Sequence, residues 1–135
     1  MKEPEIDSIG RVRTVVTDAD LASALPLESG DAFPAVFATA RMIALMEIAS
    51  ARALHPFLEA GEMSVGVAVE VTHSAPTPPG AVVTAEARFL GREGKLLVFE
   101  VVASDPGGEV GRGRHKRAVV TAERLQAGAA KRIPG

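Results

Sequence analysis

FPAVFATARMIALMEIASARALH, Phe33–His55, reads as one long helix, and that reading decides the fold. Pro34 suits a first helical turn, where its missing N–H has no intrahelical partner to lose, and Ala, Leu, Met and Glu follow as strong helix formers. His55-Pro56 closes the helix, because the residue before a proline is driven out of helical geometry. A body of about 20 residues is roughly 30 Å long. Its apolar residues form no stripe. Val36, Phe37, Ala40, Met42, Ile43, Ala44, Leu45, Met46, Ile48 and Ala49 surround the axis, the pattern of a helix enclosed by other structure. Glu47 stands against that pattern. Its neighbours three and four residues away are Ile43, Ala44, Ser50 and Ala51, none of which pairs with a charge. An enclosed carboxylate must change its protonation or find a tertiary partner, and such groups concentrate at functional sites. The competing reading is a narrow wet strip of Thr39, Glu47 and Ser50.

Outward from the helix, IGRVRTVVT, Ile9–Thr17, is rich in β-branched residues and reads as a first strand. Thr17 and Asp18 can cap a short helical turn, Ala19–Ala24, before Pro26, and Leu27–Ala32 is a loop. On the other side, SVGVAVEVTH, Ser64–His73, alternates strictly. Val65, Val67, Val69, Val71 and His73 then share the face the helix covers, with Gly66, Ala68, Glu70 and Thr72 opposite. An imidazole facing a helix that carries a carboxylate is a candidate acid–base pair. Taken alone, such a histidine is more commonly a satisfied core residue.

SAPTPPG, Ser74–Gly80, is a rigid turn. Val83, Ala85, Ala87 and Phe89 share one strand face, Leu97, Phe99, Val101 and Ala103 another, and Arg92-Glu93-Gly94 joins the two as a hairpin. After the Asp105–Gly108 turn, a last strand runs from about Glu109 to Leu125 and includes GRGRHKR, Gly111–Arg117. His115 and Arg117 lie on one face of it with Gly111 and Gly113, and Arg112, Arg114 and Lys116 lie on the other. This basic run reads as a solvated edge that discourages aggregation, or as a landing site for a phosphorylated ligand. Aromatics that would stack bases are absent, so no nucleic-acid partner is expected. Residues 126–135 read as a flexible tail.

The chain has 135 residues, 47% hydrophobic and 24% charged, with a net charge of −2. These values fit one soluble domain spanning 1–135 and give no global attraction to nucleic acid or anionic membrane. Without cysteine there is no disulfide, thiolate metal site or cysteine nucleophile, and His55, His73 and His115 show no metal-ligand spacing. Arg41, Glu47 and Arg52 interrupt the most apolar segment before it reaches the length of a membrane span. MKEPEIDSIG has no signal-peptide core, so a cytoplasmic protein is expected.

The order is a strand, a long buried helix, then four antiparallel strands. This is an α+β architecture that resembles the hot-dog fold, a long central helix wrapped by an antiparallel sheet. The strings FPAVFATARMIALME, VTHSAPTPPG and GRGRHKRAVV resemble the thioesterase family typified by fluoroacetyl-CoA thioesterase, and the likeness covers nearly the whole chain. It implies that Thr39, Glu47 and His73 form the catalytic group. Glu47 would act as nucleophile or as general base toward water, with His73 relaying protons and Thr39 orienting the carboxylate or the substrate. It further implies that the backbone at Gly66 holds the thioester carbonyl, that Arg117 contacts the ligand and that Phe33 is one of two lid phenylalanines. Gly30 stands at the position of the other. The expected activity is hydrolysis of a short-chain acyl-CoA by a homodimer, with no metal or redox cofactor and with coenzyme A entering as part of the substrate. Two rivals are a hot-dog dehydratase or hydratase and a non-catalytic acyl-CoA-binding protein.

Overall fold

A computed structural model describes residues 1–135. Strands β1 (Ile9–Val15), β2 (Glu62–His73), β3 (Val82–Glu93), β4 (Leu96–Asp105) and β5 (Gly108–Thr121) form one sheet in the order β1-β3-β4-β5-β2. Every neighbouring pair is antiparallel. Helix α1 (Thr39–Leu54) covers one face, and a second helix, α2 (Ala122–Arg132), follows β5. This is the hot-dog arrangement that the order of elements implied. No helix is long and apolar enough to cross a membrane.

Period-two alternation builds the inner face of β3 and β4. Val83, Ala85, Ala87 and Phe89, with Leu97, Phe99, Val101 and Ala103, are all buried and form one cluster with Met42, Leu45, Met46, Ala49, Ala53 and Leu54 of α1. Phe89 and Phe99 meet at a centroid distance of 5.6 Å. Truncating a ring such as Phe99 to alanine is expected to cost about 3–5 kcal/mol, since a void in this layer has little to collapse into. Small residues set how close the helix comes. A Cβ on Gly10 would overlap the backbone of Ala49 and Ala53, so β1 lies directly against α1.

Several elements differ from the sequence expectation. The helix begins at Thr39, not in the first turn after Phe33. Residues 33–38 stay out of the helix because their backbone bonds elsewhere. Phe37 N–H donates to Thr77 O, Ala38 N–H to Asp20 O, and Val36 O accepts from Ala22 N–H. The helical turn expected at Ala19–Ala24 is two short 3-10 turns, Asp18–Asp20 and Ala22–Ala24. Leu21 lies between them and bridges to Phe37. Nor is α1 enclosed all round, since Thr39, Ala40, Arg41, Ile48 and Arg52 are exposed. Ser50, placed in a wet strip, is buried with its hydroxyl donating to Met46 O at 2.8 Å.

β2 carries a bulge that strict alternation could not reveal. Gly66 pairs with Arg117 and Ala68 with Lys116, leaving Val67 as the extra residue. Parity therefore reverses across Val67. Ser64 and Gly66 share the helix-facing side with Val69, Val71 and His73, and Val65 turns away. β5 runs between β4 and β2, so the basic run is interior to the sheet, not a solvated edge. The last strand ends at Thr121, and most of the expected tail is α2, which has no buried residue.

Candidate active site

Two groups of polar side chains form where α1 meets β2 and β5. The first is at its start. Thr39, the first helical residue, places Oγ1 2.8 Å from His73 Nδ1 at the end of β2. Phe37 supports the same imidazole edge-on, with centroids 6.4 Å apart at 78°. His73 Nε2 is buried and has no hydrogen-bond partner within the subunit. An open cleft of about 380 Å³ lies against this pair, lined by Phe33, Pro34, Val36, Phe37, Thr39 and His73 among others. Phe33 is 52% exposed there. The non-helical run before Thr39 is what frees Phe33 from the helix and turns it toward the cleft.

The second group lies two turns further along α1. Glu47 is half-exposed, its side chain 43% accessible, so it is neither fully enclosed nor simply solvated. Its Oε1 accepts from Arg117 Nη1 at 3.3 Å. Arg117 is 6% exposed and also bonds Ser64, with Nε donating to Oγ at 2.9 Å and Nη2 to the carbonyl at 3.0 Å. Desolvation pulls the guanidinium pKa down, and the Glu47 charge and hydrogen bond push it back up. Gly66 closes this group from β2. A Cβ there would overlap Glu47 Oε1 and crowd His115 Cε1.

His115 completes the second group, and the sequence reading gave it no role. It is 1% exposed, with Nδ1 2.8 Å from Ala68 O and Nε2 3.0 Å from Arg117 Nη1. Burial, reinforced by the Arg117 charge, holds the imidazole below its usual value, against the Ala68 hydrogen bond and the Glu47 charge. Nε2 also approaches Glu47 Oε1 to 4.0 Å.

The structure brings Thr39 and His73 together, and it brings Glu47, Gly66 and Arg117 together. It does not join the two sets within one subunit. Thr39 and Glu47 are eight positions apart, about 12 Å along the axis, so within one subunit the Thr39 hydroxyl meets His73 and not Glu47. Arg117, expected to meet the ligand, directs its guanidinium to Glu47, His115 and Ser64. On the outer face of β5, Arg112 pairs with Glu109 at 2.6 Å and Lys116 with Glu93 at 2.9 Å.

Gly30 lies in the loop before α1, with open space where a Cβ would stand. Asp31 fastens that loop by accepting from Leu27 N–H at 2.9 Å and Glu28 N–H at 3.1 Å, bonds that hold its carboxyl below the usual range. His, Asp and Glu side chains form no cluster of three that could hold a metal ion.

Comparison with known proteins bears on the same region. The model of the family described as fluoroacetyl-CoA-specific thioesterase matches residues 16–123. A fluoroacetyl-CoA thioesterase from Streptantibioticus cattleyicolor is 47% identical over 102 residues, 76% of this chain and 73% of the relative. A solved structure of a fluoroacetyl-CoA thioesterase superposes with a TM-score of 0.91 at 39% identity, covering 98% of this chain and all of the other. A hypothetical protein from Thermus thermophilus, a thioesterase superfamily member, superposes at 0.87 and 29% identity over 97% of this chain and 94% of its own.

Proposed function

Because the chain belongs to the fluoroacetyl-CoA-specific thioesterase family, we propose that it hydrolyses a short-chain acyl-CoA thioester, with Thr39, Glu47 and His73 as the catalytic group. The observation that carries this reading is His73, which lines the cleft with its Nε2 buried and unpartnered and its other nitrogen held by Thr39. With Nδ1–H donating to Thr39 Oγ1, Nε2 is an acceptor. It can take a proton from water and return it to the departing CoA sulfur. Glu47 either attacks the carbonyl carbon and expels CoA as thiolate, leaving an anhydride that water deprotonated at Nε2 opens to the free acid, or itself takes the proton of the attacking water, which His73 relays to the thiolate as the C–S bond breaks. The bulge leaves Val67 outside the ladder, which supports a backbone N–H of the Gly66–Ala68 segment as donor to the oxyanion.

The same geometry supports a homodimer. The two halves of the catalytic group lie too far apart on one helix to meet at a single thioester carbonyl. β2 is an edge strand whose Met63, Val67 and Val69 are exposed, and an unpaired apolar edge is a ready template for a second copy. A two-fold axis beside β2 would run the partner's β2 antiparallel and carry the Glu47 end of one subunit toward the His73 end of the other. Sedimentation showing a concentration-independent monomer would remove this assembly.

Hydrolysis frees CoA, whereas hydration and simple binding do not. A thiol-release assay over acetyl-, fluoroacetyl-, propionyl- and butyryl-CoA is expected to show turnover that Glu47→Gln reduces by on the order of 10²-fold or more. Release of CoA by the Glu47→Gln protein at the wild-type rate would remove Glu47 from the chemistry. Absence of release from every substrate would remove the thioesterase reading.

A further inference from the structure

His115 is among the most deeply buried polar side chains of the protein, and no step of the hydrolysis takes a proton from it. Its surroundings fix its tautomer from both ends. Ala68 O can only accept, so Nδ1, 2.8 Å away, carries the hydrogen. Arg117 Nη1 can only donate, so Nε2, 3.0 Å away, presents its lone pair. The second hydrogen of the same Nη1 goes to Glu47 Oε1 at 3.3 Å. One line of bonds thus runs from the backbone next to the β2 bulge, through the imidazole and the guanidinium, to the carboxylate.

Resting on the reading of Glu47 as catalytic, we propose that neutral His115 is a positioning residue for that group. Its Nε2 lone pair sets the rotation of the Arg117 fork, and the fork sets where Glu47 Oε1 stands over Gly66. Ser64 anchors the far side of the guanidinium through Nε and Nη2, but those two bonds leave Nη1 free to tilt. His115 is the contact that holds it. Glu47 Oε1 stands directly against Gly66, where even a methyl group would overlap it. A small rotation of the fork therefore moves the carboxylate off the backbone where the carbonyl would bind.

Two near-isosteric variants separate positioning from support. His115→Asn keeps a donor at the Nδ1 position, toward Ala68 O, and loses the acceptor that Arg117 needs. His115→Gln keeps an acceptor at the Nε2 position. Steady-state kinetics on the acyl-CoA that the wild type hydrolyses fastest, with thermal unfolding of each protein, is expected to show kcat of His115→Asn reduced by on the order of 10- to 10²-fold at nearly unchanged KM, the scale of a sub-ångström to 1 Å misplacement. His115→Gln should recover most of the loss even at an equal unfolding midpoint. In a Glu47→Gln background, His115→Asn should cost little more, because the two act as one unit. Equal kcat losses in both variants that track their unfolding midpoints would overturn the proposal, as would wild-type kcat in His115→Asn beside an inactive Glu47→Gln. Wild-type activity in Glu47→Gln itself would instead strike the catalytic reading on which the proposal rests.

Discussion

Thr39 Oγ1 lies 2.8 Å from His73 Nδ1, so the hydroxyl that opens α1 holds the imidazole that closes β2. Thr39→Val keeps the branched shape and removes that bond, freeing the ring to turn about χ2. We expect kcat to fall by roughly 10-fold or more, because a relay base works only at the correct tautomer and angle. Thr39→Ser should stay within a few-fold of wild type. A Thr39→Val enzyme as active as wild type would show that Phe37 alone orients the ring.

Gly66 and Glu47 supply a steric test on the other half of the site. Gly66 is not among the residues with positive φ, so alanine meets no backbone strain there, and the overlap is with Glu47 Oε1 alone. Gly66→Ala is therefore expected to fold, with an unfolding midpoint close to wild type, and to lose on the order of 10²-fold in kcat through a displaced carboxylate. Retention of full turnover would mean that the carboxylate can act from more than one position.

Most of the fold was legible because apolar alternation in β3 and β4 maps directly onto a buried face. Val83 to Phe89 and Leu97 to Ala103 read the same in sequence and in space. The start of α1 was not legible, since Pro34 satisfies the local rule for a first turn while Phe37 and Ala38 answer to backbone partners on Thr77 and Asp20. The β2 bulge was hidden for a different reason. A run of valines spaced by small residues looks regular whichever residue is extra, and only pairing with β5 reveals Val67. Arg117 as the partner of Glu47 was equally hidden, 70 residues away in sequence. The presence of a second glycine-facing element was the one available signal, because His115 and Arg117 share a strand face with Gly111 and Gly113.

Stability should depend on pH through His115. Burial is the main cause holding its folded-state pKa below the ordinary 6.5. The unfolded chain therefore binds the proton more readily, and stability rises with pH wherever it does so. The contribution is fully present above about pH 6.5, declines as pH falls below that value, and levels off once the lowered folded-state pKa is passed. His115→Gln lacks the titration. Unfolding midpoints measured from pH 7.5 to 5 should fall more steeply for wild type than for this variant. Parallel slopes would show that another group dominates in that window.

Selectivity for fluorine is predicted to turn on the loop before α1. Phe33 lines the cleft beside Thr39 and His73, and the family resemblance gives it a lid role shared with a second phenylalanine whose position holds Gly30. One aromatic wall gives little surface on which to tell fluorine from hydrogen, so wild-type kcat/KM values for fluoroacetyl-CoA and acetyl-CoA should be similar. Nothing lies within 4 Å of a Cβ built on Gly30, and its φ is not positive, so a ring can be added without clash or strain. Gly30→Phe is expected to raise the fluoroacetyl to acetyl ratio, and Phe33→Ala to lower kcat/KM for both substrates. Differences between such small apolar groups are worth roughly 10- to 200-fold at most in a single pocket. A wild-type preference well above about 200-fold would mean that discrimination resides in the chemistry at Thr39, Glu47 and His73 and not in the lid.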